Sequence, residues 1–339
     1  MAYPRPVRMA PAALPEDLTA VREALIGWYE ENHRAFPWRE TDDPYQILVS
    51  EVMSQQTQLD RIVEPWRAFV ERWPDAATLA AADRADVLAF WSSHNLGYNN
   101  RARYLHEAAG QVLEEFDGEI PADPEALQSL MGVGPYTANA VASFAFNTGD
   151  AVVDTNVKRV LYRAFDVPDD DAAFEDAATT LFPEGRSRVW NNAIMELGGV
   201  ACTKSPTCDG ADCPWREWCT AYRTGDFSAP DVPEQAAFEG SRRQMRGRVI
   251  DALATHGRLT LAALGPKVRV DYDHEATAGA GTRSRTGTVR DSAGGSRNDP
   301  TAAPENGPGW LLELLRDLEG DGLVRVQETE SGYEASLER

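Results

Sequence analysis

Apolar residues recur at helical spacing through most of residues 16 to 225. Amphipathic stretches fall at 17–31, 44–70, 85–91, 100–116, 124–131, 136–146, 155–165, 172–181 and 188–200, and Pro and Gly mark the breaks between them. Alternating strand patterns are scarce there, which argues against a parallel α/β fold and predicts a mainly α, two-lobed unit. The acidic stretch "DVPDDDAAFEDAATTLFPE" reads as a solvated face.

The pattern changes after a linker at 226–238. "SRRQMRGRVIDALATHG" makes one further amphipathic helix, and "GWLLELLRDLEGDGLVRVQETESGYEASLE" reads as helix, strand, turn, strand. That order resembles a winged helix. Residues 272 to 308 between the two pieces are Gly, Ala, Thr, Ser, Arg and Asp with almost no large apolar side chain, so a disordered insertion is expected. The expected plan is a tail (1–15), a helical domain (16–225), a linker (226–238) and a small α+β winged-helix-like domain (239–339) interrupted by the insertion.

One position breaks the helical pattern. In "ILVSEVMSQQTQ", residues 47 to 58, Glu51 falls on the same side as Ile47, Leu48 and Val52. Burial there desolvates the carboxylate and raises its pKa. Asp154 has the opposite setting: it follows Val152 and Val153 and precedes the helical pattern "TNVKRVL", at or next to an N-cap that favours its anion. One acid is thus set to hold a proton while the other stays charged, a pair suited to general acid chemistry beside a stabilising anion. Taken singly, an inward Glu satisfied by an Arg or a water and an ordinary Asp cap are the better readings.

Between these two residues lies "DPEALQSLMGVGPYTANAVASFAF". Asp123 reads as an N-cap before Pro124, and Pro135 opens the next helix. Gly132 and Gly134 permit a tight turn whose uncovered N–H groups could face a phosphate, although on the two glycines alone an ordinary helix-turn-helix packing joint is the better reading. This hairpin, the "VVDTNVKRVL" segment and four cysteines, in that order, resemble the helix-hairpin-helix base-excision DNA glycosylases, the group that includes endonuclease III and the MutY-type adenine glycosylases. "SEVMSQQTQ", "FPWRETDDPYQILV" and "LGYNNRARYLHEAA" resemble the MutY-type members, and the likeness runs over roughly residues 17 to 222.

The resemblance implies that Glu51 protonates adenine at N7 and that Asp154 stabilises or captures the sugar, with Tyr136 and Asn156 orienting it. Bifunctional relatives carry lysine where this chain has Tyr136, so a monofunctional enzyme without lyase activity is expected. Gln56 and Tyr98, with Leu96 and Gly97 beside the latter, match positions that enter the base stack. Gly132, Gly134, Thr137 and Lys158 complete the expected DNA contacts, although an ion pair is an equal reading for Lys158. Ser54 departs from the bulky apolar residue usual in the family. The implied partner is double-stranded DNA with adenine mispaired with 8-oxoguanine or guanine. MutY-type enzymes commonly end in a Nudix-like domain that inspects 8-oxoguanine, and the C-terminal sequence does not resemble one.

Cys202, Cys208, Cys213 and Cys219 leave five, four and five intervening residues, against the family's six, two and five. Four thiols within 18 residues can surround a [4Fe-4S] cluster, whereas only the central pair has zinc-like spacing. Clustered thiols, and the lack of a hydrophobic signal region in "MAYPRPVRMAPAALPEDL", lead us to expect a cytoplasmic, nucleoid-associated protein with no membrane partner. A monomer is expected. The net charge of −21 opposes DNA binding, yet only Lys158, Lys204 and Lys267 of the 33 basic residues are lysine. An acidic, lysine-poor surface resembles the halophilic proteins of salt-saturated cytoplasm, and in about 1 M salt the Debye length is only ~3 Å. Two rivals stay open: a monofunctional thymine or uracil mismatch glycosylase, and a non-catalytic winged-helix regulator with a structural metal.

Overall fold

The computed structural model describes residues 14–231, 237–275 and 306–339. Its helices are α1 (Leu18–Asn32), α2 (Pro44–Ser54), α3 (Leu59–Arg72), α4 (Ala76–Ala80), α5 (Arg84–Ser93), α6 (Asn100–Glu115), α7 (Pro124–Ser129), α8 (Pro135–Phe146), α9 (Thr155–Phe165), α10 (Asp171–Leu181), α11 (Ser187–Val200), α12 (Thr220–Thr224), α13 (Arg242–His256), α14 (Leu261–Val268) and α15 (Pro308–Gly320). Strands β1 (Leu259–Thr260), β2 (Val324–Thr329) and β3 (Gly332–Leu337) form one antiparallel sheet of order β1-β3-β2. The fold is mainly α, as the periodicity predicts.

Local chemistry explains the helix starts. Asp17, Asp43, Asp83, Asp123, Asp154 and Asp170 each accept a backbone N–H of the first turn that follows. Pro44, Pro124 and Pro135 stand in first turns, where their missing N–H costs nothing. The stretch 44–70, which reads as one helical pattern, is two helices. Gln56 takes φ 59° in the polar "QQTQ" run, and this left-handed residue ends the first helix before Leu59 starts the second.

The chain forms two compact units, one of residues 1–80 with 107–235, the other of 81–106 with 236–339. This corrects the contiguous division expected at 225. Helix α5, within residues 81–106, packs on α13 in the second unit, and Ser92 Oγ donates to Asp251 at 2.6 Å there. Sequence order gives no sign of such a pairing across more than a hundred residues.

In the first unit, a core of α1, α9, α10 and α11 encloses Trp190, Phe165 and Phe174. Trp215, from the segment between the cysteines, is buried in the same core and donates from Nε1 to Val21 O at 2.9 Å. The cysteine-bearing loop is therefore anchored by an aromatic residue.

In the second unit, Leu311, Leu314, Leu315 and Leu318 of α15 are buried, as are Val249, Ile250 and Leu253 of α13 and Leu264 of α14. Val326 of β2 faces Ala335 of β3, and Leu259 of β1 pairs with Ala335 on the other side. The order helix, strand, helix, helix, strand, strand includes β1 and α14, which the sequence pattern does not predict. Most of the expected disordered insertion, residues 276–305, lies outside the described residues. Its flanks are bonded to each other: Asp273 N donates to Asn306 O at 3.1 Å, and Asn306 Nδ2 to Asp271 O at 2.7 Å.

Trp215→Ala removes a buried indole and its hydrogen bond, and is expected to destabilise the first unit by about 3–5 kcal/mol. Denaturant unfolding followed at that unit's tryptophans measures it; a loss below about 1 kcal/mol would show that the loop is not anchored this way.

Candidate active site

Helix α2 is buried from Tyr45 to Met53 except at Gln46, so Glu51 is enclosed on a helix with little solvent-facing surface. Its side chain lines a cavity of about 600 Å³ shared with Trp38, Arg39, Tyr136, Asp154, Asn156 and Glu196. Burial pushes the Glu51 carboxyl up to about 7, the negative charge of Asp154 adds to the rise, and the guanidinium of Arg39 opposes it. The expected inward carboxyl with a raised pKa is found.

Asp154 is held from several directions. Its Oδ1 accepts Val157 N at 2.7 Å as the N-cap of α9, and its Oδ2 accepts Asn156 Nδ2 at 2.9 Å. The segment that leads to it is fixed by buried Asn191 of α11, whose Oδ1 accepts Val152 N and whose Nδ2 donates to Asp150 O, both at 3.0 Å. Asn156 is fixed in turn: Arg159 Nη2 donates to its Oδ1 at 2.8 Å, and the same nitrogen donates to Gly198 O at 2.8 Å. A Cβ on Gly198 would stand 2.8 Å from Asn156 Cβ, so only glycine lets α11 approach that closely.

Tyr136, in the first turn of α8, is pushed well above the ordinary phenol value by burial and by the charges of Glu51 and Asp154, and its hydroxyl lies 3.7 Å from Met195 Sδ. The structure thus brings together the four expected catalytic residues, Glu51, Asp154, Tyr136 and Asn156.

The same cavity carries residues that sequence reasoning missed. Glu196, fully buried on α11, accepts Arg34 N and Nε on Oε1 and Arg34 Nη2 and Arg39 Nη2 on Oε2, at 2.8 to 3.0 Å. Burial opposes its ionisation, but these bonds win and hold it down to about 2. Two buried glutamates on one cavity are therefore shifted in opposite directions: Glu196 is paired with guanidinium groups, and Glu51 is desolvated near an aspartate. The available signal for Glu196 was the inward carboxylate in "NNAIMELGGV".

The expected DNA contacts divide. In the hairpin, Gly132 takes φ 77°, which the turn requires of a glycine, whereas Gly134 is extended and exposed, with no atom within 4 Å of where a Cβ would stand. Gln56 is exposed just past the end of α2. At three further positions the side chain is engaged within the protein. Thr137 is buried and its Oγ1 accepts Gln55 Nε2 at 3.2 Å, so its side chain faces inward. Leu96 is buried, its carbonyl accepting Arg101 Nη2 at 2.7 Å. Lys158 pairs with Asp171 at 2.5 Å, the ion-pair reading. Gly97 and Tyr98 belong to the second unit; both are exposed and have positive φ, 68° and 45°.

Each cysteine is partly buried and free of disulfides. Burial pushes Cys213 up to about 12, and the other three thiols add to the rise, so the four lie within electrostatic reach. Arg163 Nη1 approaches Cys202 Sγ at 3.6 Å and Tyr222 N donates to Cys219 Sγ at 3.4 Å. Among the described residues no three of these side chains converge closely enough to coordinate an ion. The donor chemistry fits an iron-sulfur group; the side-chain positions are not drawn in around one.

Residues 49–184 match the HhH-GPD superfamily of base excision DNA repair proteins. The adenine DNA glycosylase of Mycolicibacterium smegmatis is 40% identical over 236 residues, spanning 68% of this chain and 78% of that protein. That of Mycobacterium tuberculosis is 41% identical over 262 residues, spanning 74% and 81%. A thermostable thymine-DNA glycosylase superposes with TM-score 0.56 at 27% identity, over 61% of this chain and 97% of that one. The chain belongs to the helix-hairpin-helix superfamily of base-excision DNA glycosylases, and within it to the MutY-type family.

Because Glu51 ionises near pH 4.5 unfolded and about 7 folded, the neutral acid's advantage is complete below 4.5 and is lost as pH rises through 7. Wild type is expected to lose up to about 3 kcal/mol relative to Glu51→Gln over that window, measured by denaturant titration at several pH values. A difference independent of pH would mean that Glu51 is ionised at pH 5.

Proposed function

We propose that the chain is a monofunctional adenine DNA glycosylase, excising adenine mispaired with 8-oxoguanine or guanine and leaving an abasic site. The observation that carries the reading is the buried Glu51 carboxyl, held neutral to about pH 7 on the same cavity as Asp154. A volume of about 600 Å³ admits an extruded purine. Glu51 gives its proton to N7 as the C1′–N9 bond breaks with its electron pair passing to the base. Asp154, its geometry fixed by α9 and Asn156, carries the negative charge beside the electron-poor sugar, and water adds at C1′, its proton passing to the Glu51 carboxylate left by the first step.

The absence of an amine at Tyr136 supports hydrolysis without strand cleavage, since phenol forms no Schiff base. Identity of 40% and 41% to adenine glycosylases, against 27% to the thymine glycosylase, supports adenine as the base. Cys202, Cys208, Cys213 and Cys219 would hold a [4Fe-4S] cluster, which would supply a structural link across the loop that Trp215 and Arg163 tie to the core. Gly132, Gly134 and Gln56, with Tyr98, are the proposed DNA contacts.

Single-turnover assays on duplexes with A opposite 8-oxoguanine, A opposite G, and T or U opposite G test the reading at high salt. Adenine release is expected, with strands intact until alkali is added. Glu51→Gln is expected to lower the rate on the order of a hundredfold or more while retaining DNA binding. Release of thymine or uracil alone would transfer the enzyme to the rival specificity, and no release of any base would favour the regulator. Purified protein is expected to contain iron and acid-labile sulfide in equal amounts; zinc without sulfide would contradict the cluster.

A further inference from the structure

The C-terminal helices and sheet have the element order of a winged helix, yet their surface is not built to read DNA through α15. The exposed positions of α15 include Glu313 and Asp317, and both pair with Arg242 of α13. Arg246 pairs with Asp321 at 2.5 Å, and Arg248 lies 3.9 Å from Glu239. Three of the four arginines in "SRRQMRGR" are thereby matched to acids of the same unit.

Arg243 is different. Its Nη1 donates to Tyr98 Oη at 2.7 Å, and its guanidinium lies 5.4 Å from the Tyr98 ring centre and 5.2 Å from that of Phe238. Arg101 stands 5.4 Å from the Tyr98 ring as well. Phe238, Arg243, Tyr98 and Arg101 thus form an alternating series of rings and cations, with Phe238 53% and Tyr98 37% exposed. The turn beneath Tyr98 is stiff: Trp91 Nε1 donates to Gly97 O at 2.8 Å, and buried Arg101 donates to the carbonyls of Leu96 and Gly97. A tyrosine at φ 45° is strained, and such a residue keeps one orientation only where its surroundings impose it.

We propose that Arg243 is a positioning residue for DNA unstacking: the C-terminal unit holds the exposed Tyr98 ring, through its hydroxyl and one face, in the single rotamer that enters a base stack. An aromatic ring with few torsions stacks on any base, and fixing it beforehand removes the entropy lost on insertion. The winged-helix-like unit contributes to the reaction by ordering the Tyr98 turn, and its wing and α15 face need touch no DNA. This deepens the proposed function and rests on its placing of Tyr98 at DNA.

A double-mutant cycle in the full-length chain tests it, with Arg243→Gln, Tyr98→Phe and both together, all in the Glu51→Gln background so that excision is not needed. The probe is a duplex carrying 2-aminopurine beside the mispaired adenine, whose fluorescence rises when stacking is lost. Arg243→Gln is expected to reduce the rise about five- to tenfold when the tyrosine hydroxyl is present. Once Tyr98→Phe has removed that hydroxyl and left only the ring-face contact, Arg243→Gln is expected to reduce the rise by no more than about twofold, while affinity for an undamaged duplex changes less than about threefold throughout. Arg243→Lys, which keeps a donor, is expected to restore part of the signal. Equal losses in both backgrounds, or a loss of affinity without a change in unstacking, would make Arg243 a plain phosphate contact and overturn the inference. The expected coupling in the cycle, with no base release by wild type, would overturn the proposed activity alone.

Discussion

The proposed chemistry depends on keeping one carboxyl group dry. Glu51 sits on a helix most of whose residues are buried, and no ordinary packing argument favours a glutamate there. Enclosure raises its pKa to about 7, and the neighbouring Asp154 adds to the rise. In water the Glu51 carboxyl would be an anion at neutral pH and could donate no proton. Its raised pKa is a property of the surrounding fold.

Several devices maintain the surroundings of Glu51 and Asp154. Asp154 is oriented by its own helix, by Asn156 and by a segment pinned to Asn191, and Gly198 lets α11 come close enough for Arg159 to hold Asn156 in place. Glu196 absorbs the charge of Arg34 and Arg39, so that Arg39 stands near Glu51 without bringing it down to the usual carboxylate range. Arg159 also donates to Cys202 O at 2.7 Å, which joins the aspartate's support to the first cysteine of the loop. Disturbance of that loop therefore reaches the site through named hydrogen bonds.

Much of this is legible in the order of residues. Cap aspartates and first-turn prolines mark the helices closely, and α9 begins and ends where its periodicity does. Glu51 and Asp154 stand out because one violates an apolar face and the other follows an apolar pair. What is illegible is mostly non-local. The break at Gln56 depends on a left-handed residue that no glycine announces. Glu196 looks like any inward glutamate, since its meaning lies in Arg34 and Arg39, 162 and 157 residues away. The union of 81–106 with the C-terminal unit, and with it the contact between Arg243 and Tyr98 over 145 residues, leaves no periodic trace. Thr137 shows the converse limit, because motif position does not tell whether a side chain faces outward.

The central claim concerns one proton, and its most direct measurement is a titration of that proton. With side-chain carboxyl carbons labelled with ¹³C in glutamate, the resonance missing from Glu51→Gln identifies Glu51, and its chemical shift can be followed from about pH 4 to about pH 9. A midpoint near 7 that moves down when Asp154 is replaced by Asn is the predicted result. A midpoint near 4.5, unmoved by that replacement, would show a carboxylate already charged at neutral pH and would contradict the account.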